Sequence, residues 1–317
     1  MLRLVLAGTA LAIRSQANRE NAMPSSVSLL GLGSMGSALA RALIAAGIRP
    51  TLWNRSPARG APFASSANLA DSIVDAVERS DLVISCLINY AATRSSLDRP
   101  EVIEALKGKT LVQLATGLPA DATELAEWAG RHGIRYLDGR ICCFPATIGR
   151  PDAVIYYGGD TATFETHVGT LVALAGKSIY AGENVTNPTM LDCAFLSYCF
   201  AAPMAMLHGA AICEAAGLDP DLFFAALPSF SADVNRRSVS FREAIRARDF
   251  ANVQSALQTD LAGARMWLTC SSELGVDPAF AQALLDVMKV PVDEGKGALD
   301  TAYLFQTFRG AKGRLPS

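Results

Sequence analysis

The sequence predicts a two-part α/β protein, in which a doubly wound, mostly parallel sheet precedes one long helix and a C-terminal all-α domain. Short apolar segments alternate with helical ones as far as residue 181. A nearly uncharged segment then runs from Asn187 to Gly217, and no strand pattern returns after it. The predicted bounds are 1–22 for a leader, 23–181 for the sheet domain, and 182–317 for the long helix with the helical domain.

The composition limits the partners and the compartment. Of 317 residues, 50% are hydrophobic and 18% are charged, enough for one large core or two medium ones. The formal net charge of -2, without a basic run, argues against nucleic acid as a partner. The seven cysteines form no CxxC pair, so we expect free thiols in a reducing compartment. The three histidines show no metal-ligand spacing, so no metal is expected.

The segment before Met23 is apolar but is interrupted by Arg3 and Arg14. As a signal peptide it would have a weak n-region and no convincing cleavage site. We therefore expect a non-native start or a disordered tail, with the folded part beginning at Met23. A cytoplasmic location follows from this interpretation.

The first predicted strand, Ser26 to Leu30, runs directly into the glycine motif GLGSMG, and helix-forming residues continue to Ala46. A GxGxxG motif between a strand and a helix is typical of a dinucleotide-binding Rossmann domain. Gly31 permits the tight turn, Gly33 lets a pyrophosphate approach the backbone, and Gly36 lets the helix pack on the strand. The helix N-terminus adds amide donors and a positive dipole end. The alternative is a glycine turn that only packs closely.

The turn after the second strand indicates which dinucleotide is bound. The strand ends at Trp53 and is followed by Asn54, Arg55 and Ser56. An NAD-binding chain carries an acidic residue about here for the ribose 2′-hydroxyl, and this chain has none. Arg55 can instead pair with a 2′-phosphate, with Ser56 as a second donor and Arg59 as support. We therefore expect NADPH, with an ordinary surface arginine as the alternative.

Two later strands, Asp81 to Leu87 and Thr110 to Ala115, are expected to end near the nicotinamide, because cofactors lie at the carboxyl ends of parallel strands. This places the segments Leu87–Asn89 and Ala115–Gly117 near the nicotinamide half of the cofactor. The candidate cofactor-binding residues are Gly31, Leu32, Gly33, Ser34, Met35, Gly36, Asn54, Arg55, Ser56, Arg59, Leu87 and Thr116.

The segment from Asn187 to Gly217 predicts a helix roughly 40 Å long that is apolar on all sides. Such a helix either crosses a membrane or is buried all round. Pro203 and His208 interrupt it and no basic cluster flanks it, so we favour burial in a homodimer, with no membrane. Its acidic residue near the N-terminal end is Asp192, which we expect to face an active site.

The rest of the chain is expected to be helical. The 3.6-residue periodicity and the prolines suggest separate helices with a frayed end. The predicted helices are Pro220–Leu227, Val234–Arg248, Asn252–Leu274 and Pro278–Lys289, and the predicted frayed tail is Gly310–Ser317.

Four motifs occur in a specific order: GLGSMG with NRS one strand later, QLATGLP at 113–119, YLDGRI at 136–141, and GE…LDCAFL within 182–196. In this order they resemble the NADPH-dependent imine reductases and reductive aminases of the β-hydroxyacid dehydrogenase superfamily. The resemblance implies a Rossmann domain, a long interdomain helix, and a helical domain that intertwines in a domain-swapped homodimer. It also implies an active site between one subunit's cofactor domain and the other's helices.

The activity implied by the resemblance is hydride transfer from NADPH to the C=N bond of imines or iminium ions, with reductive amination of ketones as a further expectation. The hydroxyacid dehydrogenases carry a catalytic lysine near the start of the long helix. Here Asp192 occupies that place, and no lysine occurs between Lys177 and Lys289. Asn89 is similar to an asparagine beside the nicotinamide in many reductive aminases. The substrate-pocket candidates are Phe144, Phe200, Leu257 and Gln258.

Each of these roles has a structural alternative. Asp192 can be a helix-start carboxylate that satisfies local amides, and Asn89 can be a turn residue. Gln258 can be an interhelix hydrogen-bonding residue. Phe200, where many relatives have tyrosine, can be a packing residue. For the whole protein, the alternatives are a hydroxyacid-dehydrogenase-type oxidoreductase and a non-catalytic NADPH-binding sensor.

Overall fold

The computed structural model describes residues 26–313, with side chains described as far as residue 310. The predicted leader, 1–22, and the start at Met23 lie outside these residues. The chain divides into two compact units, one extending to Tyr198 and the other beginning at Cys199. This division falls inside the long helix, whereas the boundary predicted from the sequence, between 181 and 182, precedes it and stays a prediction.

One sheet contains all eight strands of the described residues, in the order β3-β2-β1-β4-β5-β6-β7-β8. Every neighbouring pair is parallel except β6 with β7. The predicted doubly wound, mostly parallel sheet is therefore confirmed, with one antiparallel pair. The strands are β1 Val27–Leu30, β2 Thr51–Trp53, β3 Asn68–Leu69, β4 Leu82–Ser85, β5 Thr110–Gln113, β6 Arg135–Ile141, β7 Val154–Gly159 and β8 Lys177–Tyr180.

Helices cover both faces of this sheet, so successive residues of a central strand enter different cores. Leu29 of β1 belongs to one core and Leu30 to the other. Three of the helices, with six to eight residues each, were not predicted, because so short a segment shows only about two turns of periodicity. The helices are α1 Ser34–Ala45, α2 Ile73–Glu78, α3 Tyr90–Leu97, α4 Pro100–Leu106, α5 Pro119–Arg131 and α6 Thr161–Leu174; α2, α3 and α4 are the unpredicted ones.

The remaining elements are helical, as predicted, but three of the predicted bounds are wrong. The helix predicted from Asn252 begins at Leu257, because residues 251–256 form a non-helical loop. The sequence predicts a break near Pro228, yet one helix runs through it, because a proline removes a single backbone donor and long flanking segments can hold the helix together. Residues 310–313 are helical rather than frayed, and the residues after them lie outside the described range. The helices are α7 Asn187–Ala215, α8 Pro220–Ala247, α9 Leu257–Glu273, α10 Ala279–Pro291 and α11 Leu304–Gly313.

The C-terminal unit has a small interior. Helices α9 and α10 enclose a cluster of three buried residues, Leu261, Ala264 and Leu285. The Asp300 carboxylate ties the neighbouring loop together by accepting hydrogen bonds from the amides of residues 254 and 302. Helix α8 has no buried residue along its 28 positions. The unit therefore leaves much apolar surface open.

Helix α7 shows the same exposure more strongly. Only Pro188, Thr189 and Asp192 are buried among its 29 residues. Of the helices in residues 26–313, it is the one long and apolar enough to cross a membrane by length and composition. An 18-residue stretch of it has a mean hydropathy of 1.5, and 6% of that stretch is buried. Its exposed large side chains are Met190, Phe195, Tyr198, Phe200, Met204 and Leu207. The burial predicted for this helix is therefore not reached within one chain.

Candidate active site

The candidate site lies where the strand order reverses, between the adjacent strands β1 and β4. In doubly wound sheets, ligands bind in the crevice outside the carboxyl ends of such strands. The loops after β1, β4 and β5 and the end of β6 surround a cleft of about 480 Å³ there. The cleft is lined by Gly31, Gly33, Ser34, Met35, Gly36, Asn54, Cys86, Leu87, Ile88, Leu114, Ala115, Thr116, Arg140, Ile141 and Cys143.

The three motif glycines have different surroundings. Gly31 has φ of 103°, and a Cβ there would lie 2.5 Å from the carbonyl oxygen of Cys86. A Cβ at Gly36 would overlap the carbonyl oxygen of Gly31. No atom lies within 4 Å of a Cβ built on Gly33, which therefore borders open space at the cleft. Gly31 and Gly36 are therefore required by close packing, and Gly33 leaves room for a ligand against the backbone.

The N-terminus of α1 is free to bind an anion. Its N-cap, Gly33, provides no side-chain hydrogen bond, and the first turn contains no acidic residue. The unpaired amides and the positive end of the helix dipole therefore face the cleft without a competing carboxylate. Asn54 fixes the loop, because its Oδ1 accepts a hydrogen bond of 2.9 Å from the Leu32 amide. Leu32 itself is buried in the core and supports the loop from below.

The predicted 2′-phosphate contacts lie on the turn after β2. Arg55, Ser56 and Arg59 are all exposed. Within residues 26–313, Arg55 has neither an ion-pair partner nor a hydrogen-bond partner, whereas Arg59 Nη1 donates to the Leu32 carbonyl at 3.3 Å. The turn therefore presents an uncompensated guanidinium beside the glycine loop, which fits a phosphate group. Their roles in binding stay predictions.

Arg140 is the one charged side chain among the residues that line the cleft. It lies near the end of β6, and its Nη1 donates to Thr116 Oγ1 at 2.8 Å. Its Nε is 2.5 Å from Asp192 Oδ1. The Nε–H does not point at that oxygen, so the contact is an ion pair without hydrogen-bond geometry. The side chain is 16% exposed, so little solvent reaches the guanidinium.

Asp192 reaches this cleft through Arg140 and is not itself one of the lining residues. Its side chain is 6% exposed, and its carboxylate pairs with Arg140. Asp192 is the sixth residue of α7, beyond the first turn whose free amides an N-terminal carboxylate would satisfy. The ion pair thus accounts for a buried carboxylate that local amides do not. Whether Asp192 acts catalytically stays a prediction at this point.

The other candidates are distributed unevenly. Asn89 is the N-cap of α3, and its Oδ1 accepts a hydrogen bond of 2.8 Å from the amide of residue 92; it lies just beyond the lining residues Leu87 and Ile88. Phe144 and Phe200 are 73% and 63% exposed. Leu257 is fully buried in the C-terminal unit, so its side chain is not open to a ligand in that unit, and Gln258 beside it is exposed.

Sequence reasoning gave no role to Arg140, although it quoted the motif that contains it. The sequence predicts a strand over Ile134–Leu137, whereas β6 continues to Ile141 through pairing with β7. The DG pair within YLDGRI resembles a turn, and this hid the strand end. The sequence feature that could have identified this site residue is a single arginine at the end of an apolar strand. Other lining residues without a predicted role are Cys86, Leu114 and Ile141.

Two thiols near the cleft are not poised for reaction. Burial raises the pKa of the Cys86 thiol to about 11, and burial also raises that of Cys142 to about 11. Both therefore stay protonated at neutral pH, and a thiolate is the reactive form. Across residues 26–313, no group of three or more His, Cys, Asp or Glu side chains is arranged to hold a metal ion.

A buried carboxyl group lies two residues before Arg140 on the same strand. Asp138 is fully buried, and its Oδ1 accepts hydrogen bonds from the hydroxyls of Tyr90 at 2.6 Å and Tyr136 at 2.9 Å. Its Oδ2 has no hydrogen-bond partner in the structure. Burial raises the pKa of Asp138 to about 7, against the opposing effects of the two hydroxyls and of the Arg140 charge. Tyr90 adjoins the cap residue Asn89, so this cluster supports the cleft from beneath.

The fold and the cleft together define a dinucleotide-binding protein with a Rossmann domain and a helical C-terminal part. Comparison with known families agrees with this class. Residues 26–182 match the NAD binding domain of 6-phosphogluconate dehydrogenase, and residues 184–310 match the C-terminal domain of NADPH-dependent reductive aminase-like proteins.

Individual relatives are more specific. The chain is 30% identical to an NADPH-dependent reductive aminase from Aspergillus oryzae, over 92% of this chain and 99% of the relative. The structure of this chain is similar to that of an imine reductase from Myxococcus stipitatus in complex with NADP+, with a TM-score of 0.84 and 31% identity. The comparison covers 89% of this chain and 99% of the imine reductase. The structure is also similar to that of a reductive aminase from Aspergillus terreus in complex with NADPH and ethyl levulinate. That comparison has a TM-score of 0.82 and 30% identity, and it covers 90% of this chain and 100% of the relative. The chain belongs to the imine reductase and reductive aminase family, which confirms the predicted resemblance.

Stability should fall as pH rises through the titration of Asp138. Because its folded-state pKa lies above that of an unfolded aspartate, the protonated carboxyl stabilises the fold at low pH, and this contribution is lost as pH rises towards about 7. In Asp138→Asn the group cannot ionise. The wild type should therefore lose on the order of 2 kcal/mol of unfolding free energy relative to this variant between about pH 5 and pH 8.

Urea unfolding of both proteins across this pH range is the measurement. Asp152→Asn, at an exposed aspartate paired with Arg150, is the control and should leave the pH dependence unchanged. Parallel stability curves for the wild type and Asp138→Asn would contradict the assignment.

Proposed function

We propose that this chain reduces the C=N bonds of imines and iminium ions to amines, with NADPH as the hydride donor. The observation that carries this function is the buried Asp192 carboxylate, which pairs with Arg140 in the lining of a dinucleotide cleft. Membership of the imine reductase and reductive aminase family supports it. NADPH bound in the cleft would supply a hydride to the imine carbon.

The residues of the chain favour NADPH over NADH. The glycine loop and the free N-terminus of α1 would hold the pyrophosphate, and Asn54 keeps the loop in place. The exposed, unpaired guanidinium of Arg55 is available to a 2′-phosphate, with Ser56 beside it. No acidic residue follows β2 to bind a ribose 2′-hydroxyl instead. Relatives whose structures contain NADPH or NADP+ support the same preference.

Asp192 would stabilise the iminium form of the substrate. An imine carbon accepts hydride readily only when the nitrogen is protonated, so a negative charge beside that nitrogen favours the reactive form. Two charges attract each other more strongly where water is excluded, and the Asp192 side chain is 6% exposed. We assign Asp192 charge pairing with the iminium rather than proton delivery. Asn89 would act at the nicotinamide side through its Nδ2 donors, because capping α3 engages only its Oδ1.

The two alternatives are less well supported. A hydroxyacid dehydrogenase of this superfamily needs a lysine near the start of the long helix, and α7 contains none. The match of residues 184–310 to a reductive aminase-like domain also disfavours it. A sensor without turnover would not need a buried carboxylate at the cleft. We further infer that the chain can use a ketone and an amine in place of a preformed imine, since its relatives include reductive aminases.

We also propose a homodimer in which a second copy covers α7. The exposed aromatic and aliphatic side chains of this helix form a surface larger than soluble monomers leave open. A membrane would also cover them, but Pro203 lies inside the helix and Asp192 within its first turns. Phe200 and Gln258, which are exposed, would then contribute to the substrate pocket from the helical part, whereas the buried Leu257 would not. Seven free cysteines are consistent with the cytoplasmic location that we propose.

Replacing Asp192 should slow hydride transfer specifically. Because it would stabilise the cationic substrate, Asp192→Asn should lower kcat for a cyclic imine such as 2-methyl-1-pyrroline by at least about 100-fold. NADPH affinity should stay nearly unchanged, since the phosphate contacts lie at the glycine loop and the turn after β2. Single-turnover NADPH oxidation measures the first quantity, and titration of NADPH fluorescence measures the second.

Glu214→Gln, near the other end of the same helix, is the matched control and should behave like the wild type. A wild-type rate in Asp192→Asn would reduce Asp192 to a structural ion-pair partner. Oxidation of a hydroxy acid with NADP+, without reduction of any imine, would support the dehydrogenase instead.

Replacing Arg55 should weaken the preference for NADPH. Losing a charge-assisted contact to the 2′-phosphate removes about 1.5–3 kcal/mol, so the NADPH-to-NADH ratio of kcat/KM should fall by roughly tenfold or more in Arg55→Ala. Steady-state kinetics with both cofactors is the measurement. Arg41→Ala, at an exposed arginine of α1, should keep the wild-type ratio. An unchanged ratio in Arg55→Ala would show that another residue selects the phosphate.

The protein should sediment as a dimer at low micromolar concentration, with about twice the 33.5 kDa mass of one chain. Leu207→Glu places a charge on the exposed face of α7 and should shift the species towards monomer. Leu118→Gln, at an equally exposed leucine of the sheet unit, should not. A wild-type monomer, or a protein recovered only with phospholipid vesicles, would be contrary to the proposal.

A further inference from the structure

The charge balance of the cleft raises a question about the substrate. Asp192 would attract an iminium nitrogen, yet its carboxylate is already paired with Arg140. Arg140 is cationic at every physiological pH, so the pair is neutral as a whole. An iminium that carried no other charge would meet a carboxylate whose charge is already balanced.

The cost of separating this pair depends on what replaces each partner. Removing one member of a buried ion pair leaves the other uncompensated, which is strongly unfavourable. A simple iminium could compensate Asp192 but would leave the Arg140 guanidinium, 16% exposed, beside a second cation. A substrate with its own carboxylate could compensate Arg140 at the same time. The internal pair would then be exchanged for two pairs with the substrate, without an unpaired charge.

Arg140 has donors to offer such a carboxylate. Its Nη1 is held by Thr116, which fixes the plane of the guanidinium. Its Nη2 has no hydrogen-bond partner within residues 26–313, and its Nε, which lies 2.5 Å from Asp192 Oδ1, becomes available when the internal pair is exchanged. Arginine binds carboxylates through two adjacent N–H groups, and Nε with Nη2 forms such a pair. In an α-imino acid the nitrogen and the carboxylate are attached to the same carbon. One small substrate can therefore reach both Asp192 and Arg140, whose charged groups are in direct contact.

We propose that the preferred substrate is an imine that also carries a carboxylate, with the carboxylate bound by Arg140 and the iminium nitrogen by Asp192. This inference rests on the proposed function. In the reaction, the iminium carbon accepts a hydride, and the π electrons of C=N become the lone pair of the nitrogen, which keeps its proton. The products are an amino acid and NADP+.

Two cyclic imines of similar size separate this proposal from simple imine reduction. The probes are 1-pyrroline-2-carboxylate and 2-methyl-1-pyrroline, compared by kcat/KM from NADPH oxidation at neutral pH. The wild type should prefer the carboxylate probe by roughly tenfold or more, the effect of a hydrogen-bonded charge. Arg140→Gln should abolish this preference, and Arg140→Lys should keep part of it. The KM for NADPH should not change in either variant.

Arg135→Gln is the matched control, because Arg135 lies exposed at the opposite end of β6. It should retain the wild-type ratio. Titration of proline and pyrrolidine into the enzyme with NADP+ tests recognition without turnover, and proline should bind more tightly only when Arg140 is present. These binding data also cover a variant that turns over poorly.

The outcomes distinguish the two levels of the proposal. If the wild type reduces the neutral imine at least as well as the carboxylate probe, the proposed function stands and this inference is wrong. If neither probe is reduced but proline binds in an Arg140-dependent way, carboxylate recognition is supported and imine reduction is contradicted. If neither probe is reduced and proline does not bind, both fail. A raised KM for NADPH in Arg140→Gln, with an unchanged probe ratio, would assign Arg140 to the cofactor.

Discussion

The reversal of strand order between β1 and β4 is the constraint on which the site depends. Because the strands from β3 to β6 are parallel, their carboxyl ends meet at one edge, and helices leave β1 and β4 on opposite faces. A crevice must therefore open between these two strands. Gly31 shapes its floor, since its positive φ and its contact with the Cys86 carbonyl exclude a side chain. The glycine loop, the free end of α1 and Arg140 all occupy this one edge.

The Arg140–Asp192 ion pair joins that edge to the long helix. A carboxylate and a guanidinium in so little solvent must compensate each other, and Thr116 fixes the guanidinium from the other side. The pair makes the cleft neutral at rest but leaves it able to bind either charge. A buried polar cluster around Asp138 lies on the same strand, so the residues beneath the site are ordered by hydrogen bonds rather than by apolar packing alone.

Much of the fold could be predicted because its determinants are local. The GLGSMG motif, the alternation of strands and helices, and the uncharged run that becomes α7 are each visible within a few turns of chain. The three short helices between Ile73 and Leu106 were missed because their patterns are too brief. The continuity of α8 through Pro228 was missed because flanking residues, not the proline, decided it. The apolar surface of α7 is not buried by the rest of the same chain.

The sequence by itself determined the nucleotide cradle and the absence of an acid after β2, because glycine conformation and the residue after a strand are local properties. It also drew attention to Asp192 as the carboxylate near the N-terminal end of an apolar helix. Only the tertiary structure decided what that carboxylate meets. Strand β6 reaches Arg140 because β7 pairs with it, and α7 then brings Asp192 to the same point. An ion pair between residues distant in the chain depends on the path of the backbone between them, which no local pattern encodes.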